Sequence, residues 1–196
     1  MVDALREGAY SISAGALALL TLDQLPGVGP ASVQKLVERF GTAERALQAS
    51  TPLFASIVGS EAARARADPT LRDSVERALA RAEQLGVKVI TWDETEYPPA
   101  LRHLTDPPPV LFLRGRVELL CREKLVTVVG ARRATARARD VAERLGVMLA
   151  RAGVGVASGM ALGVDRAAHE GALRGGGETI AVLGTGPDVV YPRAHA

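Results

Sequence analysis

Three short apolar runs, Leu125–Gly130, Val154–Gly159 and Thr179–Gly184, each end in a glycine-rich polar turn, and this repetition constrains the fold most. Between them, apolar residues recur at helical spacing over Ala136–Ala152 and Val164–Arg174. Strand, helix, strand, helix, strand with short connections predicts right-handed βαβ units and a mostly parallel sheet, hence an α/β domain. In such a sheet, ligands bind in the crevice outside the carboxyl ends of the strands. The turns there read Gly130-Ala-Arg-Arg-Ala-Thr135, Ser158-Gly-Met-Ala-Leu-Gly-Val-Asp165 and Gly184-Thr-Gly-Pro-Asp188. Backbone amides, hydroxyls and arginines suit phosphate. Arg132, Arg133, Arg137 and Arg139 follow one another with no acid between them.

Charge is distributed to match. Residues 1–90 hold ten basic and ten acidic residues, whereas residues 121–196 hold eleven and seven. The excess positive charge therefore sits on the segment with the glycine-rich turns, as an anionic partner requires. Only 4% of residues are aromatic, so the core must be aliphatic and base stacking can contribute little. A single cysteine, Cys121, excludes an intramolecular disulfide framework and fits a reducing compartment. His103, His169 and His195 show no metal-ligand spacing, so neither a metal nor another cofactor is expected. The apolar stretch Ile12–Leu22 is too short to span a bilayer and lacks a basic flank, which points to a cytoplasmic protein.

Residues 1–85 read as a small all-helical domain. Val33, Leu36, Val37 and Phe40 recur at helical spacing, Gly41 fits a C-cap, and Thr42 fits the N-cap of a further helix. Leu71–Leu85 is a second amphipathic helix. Leu22-Asp-Gln-Leu-Pro-Gly-Val-Gly-Pro30 resembles a helix-hairpin-helix turn, which presents backbone N–H groups to a phosphate, with Lys35 placed to reinforce the contact. A helical hairpin used only for packing has the same pattern. From Val87 the chain turns to β-branched and proline-rich segments, Val87–Trp92 and Val110–Leu113, read as an extension of the sheet. Residues 86–196 then form the second domain, and Trp92, Tyr97 and Phe112 read as core or hinge aromatics.

Ordinary nucleotide binding does not fit. The first turn is not Gly-x-Gly-x-x-Gly, and Ala157-Ser158-Gly159 stands where a dinucleotide fold places its ribose-binding acid. A Walker A sequence is absent.

The segments Val128–Thr135, Ala157–Leu173 and Thr179–Pro192 resemble, in order and spacing, the signature blocks of the DNA-processing protein A (DprA/Smf) family. Tyr97-Pro-Pro-Ala-Leu101 and Pro109-Val-Leu-Phe-Leu-Arg-Gly115 are similar to that family too. The resemblance implies an extended Rossmann-like domain, usually dimeric, preceded by a small helical domain resembling a SAM domain. It implies a non-enzymatic single-stranded DNA-binding protein that protects incoming strands during natural transformation and loads the RecA recombinase. Carried onto this chain, Gly130, Ala131, Arg132, Arg133 and Thr135 form one side of the DNA pocket. Ser158, Gly159, Gly163 and Asp165 form the next, and Gly184 and Gly186 the third. Leu162 stands where the family often has arginine, with Arg166 or Arg133 expected to compensate. Asp165 is expected to brace the first turn through Arg132 or Thr135, and Gly163 to let a strand approach its amide. The family's sheet continues beyond Tyr191-Pro192, so the resemblance implies a domain that is C-terminally incomplete here. The competing class is a phosphoribohydrolase-like enzyme, suggested by Gly175-Gly-Gly-Glu-Thr179, although that stretch precedes a strand rather than opening a helix.

Overall fold

The computed structural model describes residues 13–189, 191 and 192. Ile12, at the head of the apolar stretch, and His195 lie outside them. The chain divides into two compact units, Met1–Gly115 and Arg116–Ala196.

Among the described residues, the first unit has five helices ahead of its strands: α1 (Ala14–Asp23), α2 (Pro30–Phe40), α3 (Ala43–Gln48), α4 (Thr51–Ala65, broken at Gly59) and α5 (Pro69–Gln84). Side-chain oxygens of Ser13, Thr42 and Asp68 accept from the first-turn amides of α1, α3 and α5, satisfying donors that no helical carbonyl can reach. Leu22, Val33, Leu36 and Phe54 are wholly buried in one cluster. The turn between α1 and α2 contributes Leu25 and Val28 to that cluster and leaves Pro26 and Gly27 exposed. Its inner side is therefore core.

Strands β1 (Lys88–Thr91) and β2 (Val110–Leu113) pair antiparallel, from Lys88 opposite Leu113 to Thr91 opposite Val110. They form a two-stranded sheet of their own, not the expected extension of the parallel sheet. An isolated two-stranded ribbon is marginal in water and needs a cover. Val87 and Val89 find theirs among Leu20 of α1 and Val75, Leu79 and Ala82 of α5. The connection, with the single-turn α6 (Pro99–Arg102), is tied by buried Tyr97, whose hydroxyl donates to the Pro108 carbonyl at 2.8 Å. Trp92 packs partly buried against the helical core, whereas Phe112 stays exposed.

The second unit holds a 3-10 turn (Val117–Cys121), β3 (Leu125–Thr127), α7 (Ala136–Arg151), β4 (Gly155–Ser158), α8 (Val164–Arg174) and β5 (Thr179–Ala181). The sheet is parallel in the order β3-β4-β5, as the alternation predicts. Leu149 of α7 and Ala168 and Ala172 of α8 pack on Val128 and Val156, so both helices cover one face.

Helices α7 and α8 meet backbone to backbone. A Cβ on Gly146 would fall 2.5 Å from the Ala168 carbonyl oxygen, and one on Gly171 would strike the Glu143 carbonyl. Gly175 and Gly177, just past α8, lie against Ala150 of α7, where a Cβ would come within 2.7 and 2.5 Å of its methyl carbon. Gly175 and Gly177 are thus packing positions. Glycine to alanine inside a helix ordinarily stabilises by about 1 kcal/mol. At Gly171 the sign reverses, because overpacking against fixed backbone costs about 1–3 kcal/mol. Gly171→Ala is expected to lower the denaturation midpoint of the second unit, and a raised midpoint in urea unfolding would refute the close contact.

Candidate nucleic-acid interface

Parallel pairing brings the carboxyl ends of β3, β4 and β5 to one edge, where the three glycine-rich turns lie. The first two interlock. A Cβ on Gly130 would fall 2.7 Å from the Val164 side chain, and one on Gly163 would meet the Ala131 carbonyl and lie 2.7 Å from that of Arg132. The Val164 amide donates to the Ala131 carbonyl at 3.3 Å. Gly163, with φ +88°, must be a glycine on backbone grounds alone, because the first turn occupies the space of a side chain.

Ser158 and Asp165 are buried and bonded within the turns. Ser158 is 3% exposed, and its hydroxyl donates across the sheet to the Val128 carbonyl at 2.7 Å. Asp165 is 6% exposed and accepts from the Gly159 amide at 3.2 Å. It therefore closes its own turn rather than bracing Arg132 or Thr135 as expected. Thr135 instead caps α7, accepting from the Ala138 amide at 3.2 Å.

The cations divide in the same way. Arg139 donates to the Ala134 carbonyl at 3.0 Å, and Arg166 pairs with Glu170 at 2.8 Å, so Arg166 is already engaged within α8. Arg132 and Arg133 are exposed and make no ion pair among the described residues. The first turn of α7 contains no acid and carries Arg137, a cation where the helix dipole already presents positive charge. Leu162 is exposed, as is Gly184, with open space beside it. Gly186 makes the third turn, where its carbonyl accepts from the Val189 amide at 3.0 Å.

At the opposite edge, Glu178 precedes β5 and pairs with Arg116, at 2.8 Å, and with Arg122. Arg122 also donates to the Gly153 carbonyl at 2.8 Å. Gly175 and Gly177 are therefore spent on packing and Glu178 on this clasp. His169 is buried, and its Nδ1 lies 2.6 Å from the Thr179 hydroxyl. That hydroxyl donates to the Val156 carbonyl at 2.8 Å, so Nδ1 carries the proton and His169 is a strut.

The sequence reading did not find the clasp or the α7–α8 seam. Glycines inside helical patterns, Gly146 and Gly171, were the available signal for the seam. Two shallow depressions lie on the first unit, one along α1 and α5 and one lined by Leu20, Val75 and Phe112. Neither has convergent basic groups. Among the described residues there is no cluster of potential metal ligands and no helix long and apolar enough to cross a membrane.

Residues 88–196 match the family described as DNA recombination-mediator protein A. Protein Smf of Synechocystis is 32% identical over 180 residues, 88% of this chain and 45% of that protein. DNA processing protein DprA of Streptococcus pneumoniae is 43% identical over 99 residues, 50% of this chain and 34% of that one. The X-ray structure of DNA processing protein A from Streptococcus pneumoniae aligns with a TM-score of 0.70 at 28% identity, covering 92% of this chain and 61% of that chain. The chain spans less than half the length of these two curated relatives. The family match, the α/β fold with its parallel sheet and the signature turns agree: the chain belongs to the DNA recombination-mediator protein A (DprA/Smf) family.

Proposed function

We propose that this protein binds single-stranded DNA through its phosphates at the carboxyl ends of β3, β4 and β5. In this reading it shields incoming strands in the cytoplasm and delivers them to the RecA recombinase during natural transformation, acting as a homodimer and by binding rather than catalysis. The observation that carries the reading is the pair Arg132 and Arg133. Both are exposed and without an ion-pair partner among the described residues, on a turn whose backbone Gly163 and Val164 hold in place. Cations kept at an otherwise basic helix start are favourable once a phosphate arrives. Main-chain amides of the turns at Gly130 and Gly184 supply neutral donors beside them, the Gly159 amide being held by Asp165.

The site divides the labour of the expected residues. Arg132 and Arg133 are the phosphate ligands, with Gly184 leaving the third turn open and Gly186 making the turn beside Asp188. Gly130, Ala131, Ser158, Gly163 and Asp165 fix the geometry, and Thr135 caps α7. Arg166 acts only if its pair with Glu170 opens. Scarcity of aromatics makes the binding phosphate-dominated, weakly sequence-selective and strongly salt-dependent.

Labelled oligo-dT, duplex DNA and nucleoside monophosphates, titrated in parallel, test the reading; preference for monophosphates would favour a nucleotide-processing enzyme instead. Arg132→Ala is expected to weaken oligo-dT binding and to lower the slope of log affinity against log salt by about 0.7 for one lost phosphate contact. Its melting temperature should not move, and an unchanged slope would remove Arg132 from the site. Asp165→Ala has the opposite signature. Losing a charge-assisted bond and leaving the Gly159 amide unpaired costs about 1–3 kcal/mol of stability. Tighter DNA binding by Asp165→Ala at unchanged melting temperature would show it to be only a repulsive neighbour.

A further inference from the structure

The outer face of α7 carries a pattern that the strand-end site does not use. Arg137, Val141, Arg144, Met148 and Arg151 follow one another at intervals of four and three residues, which places them along one stripe of the helix. All five are exposed, Val141 to 57% and Met148 to 67%. Cations and flexible apolar side chains thus alternate down the helix. Two ordinary explanations cover only part of the stripe. Arg151 in the last turn complements the helix dipole, but Arg137 in the first turn opposes it. Arg144 pairs with Asp140 at 3.1 Å, but that i,i+4 pair lies in solvent and is weak. Arg137 and Arg151 make no ion pair among the described residues. Neither explanation accounts for exposing Val141 and Met148 between them.

We propose that this stripe is a track for single-stranded nucleic acid, continuing from the Arg132–Arg133 turn down the length of α7. The inference rests on the strand-binding reading above and adds a second contact region to it. The occupant follows from charge and continuity. The stripe begins where the basic turn ends, since Thr135 caps α7 immediately after Arg133. Successive arginines are seven positions apart, which at about 1.5 Å rise sets them about 10 Å from one another along the helix. A flexible single strand can match that interval by stretching beyond the roughly 3.4 Å per nucleotide of a duplex strand. Bases freed from pairing then lie over Val141 and Met148, and the polarisable thioether is suited to an aromatic face. Asp140 is the one acid flanking this path. Its pair with Arg144 must open for a phosphate to dock, which an exposed pair does readily.

The two regions are separated by strand length. The full chain is titrated with fluorescent dT8 and dT25 over a salt series, alongside Arg144→Gln/Arg151→Gln and Met148→Glu. The track requires that the double variant bind dT8 like the parent but lose about tenfold in dT25 affinity. Its dT25 salt slope should fall by about 1.4, the value for two single-strand phosphate contacts. Met148→Glu should weaken dT25 alone. Equal dT25 affinity and slope in parent and double variant would overturn the track while leaving the strand-end site standing. An equal loss for dT8 and dT25 would also overturn it, by placing these arginines in the strand-end site or the fold. Failure of the parent to bind either strand would remove the underlying reading together with the track. If Met148→Glu changes the sedimentation-derived mass and leaves dT25 affinity intact, the face joins copies of this chain and the proposal fails.

Discussion

The close crossing of α7 on α8 is the constraint from which the second unit follows. Gly146 and Gly171 each bring a carbonyl of the partner helix into the space of an absent Cβ, and Ala142, Ala168 and Ala172 keep the rest of the seam thin. With both helices on one face, their amino termini converge at one edge of the sheet. The turns that enter those helices then interlock through Gly130 and Gly163. Dispersion between backbones at this range requires that neither surface carry a larger side chain.

Function follows from what the interlocked turns leave unused. Their polar groups are largely satisfied internally: Ser158 by Val128, Asp165 by Gly159, Thr135 by Ala138. Arg132 and Arg133 are left pointing at solvent from an ordered backbone. At the other edge, Glu178 draws in Arg116 and Arg122. The sheet thus consumes its arginines at the amino ends of its strands and presents them at the carboxyl ends. A fixed backbone carrying loose cations suits a polymer of repeating phosphates, which demands charge at intervals more than exact side-chain placement.

Much of this was legible in the sequence, for identifiable reasons. The βαβ alternation, the start of α7 after Thr135 and the bounds of α8 follow from periodicity and capping, which are local. The pairing of Val87–Trp92 was not legible, because a β-branched run does not name its partner strand. Whether it joined the parallel sheet or the Val110–Leu113 strand depended on which apolar surface α1 and α5 exposed. Asp165 was read as bracing the neighbouring turn because a carboxylate's reach can be read from sequence but its direction cannot. Gly163 has a second reason to be glycine that the sequence does not show, the backbone of the first turn that passes beside it. The arginines ranked alike in sequence, and only geometry separated Arg132 from Arg166.

The glycine seam also fixes how this unit can change. A core of leucines can be trimmed, refilled and reshaped, because each position has smaller and larger neighbours in chemical space. Gly146 and Gly171 have none smaller. Every substitution at either position adds atoms against a main chain that has no rotamer with which to yield. Nor can a partner helix compensate by shrinking, since what it presents is already its carbonyl. Variation in this unit is therefore channelled away from the seam, into the exposed turns and the outer face of α7, where the side chains proposed to meet DNA are found.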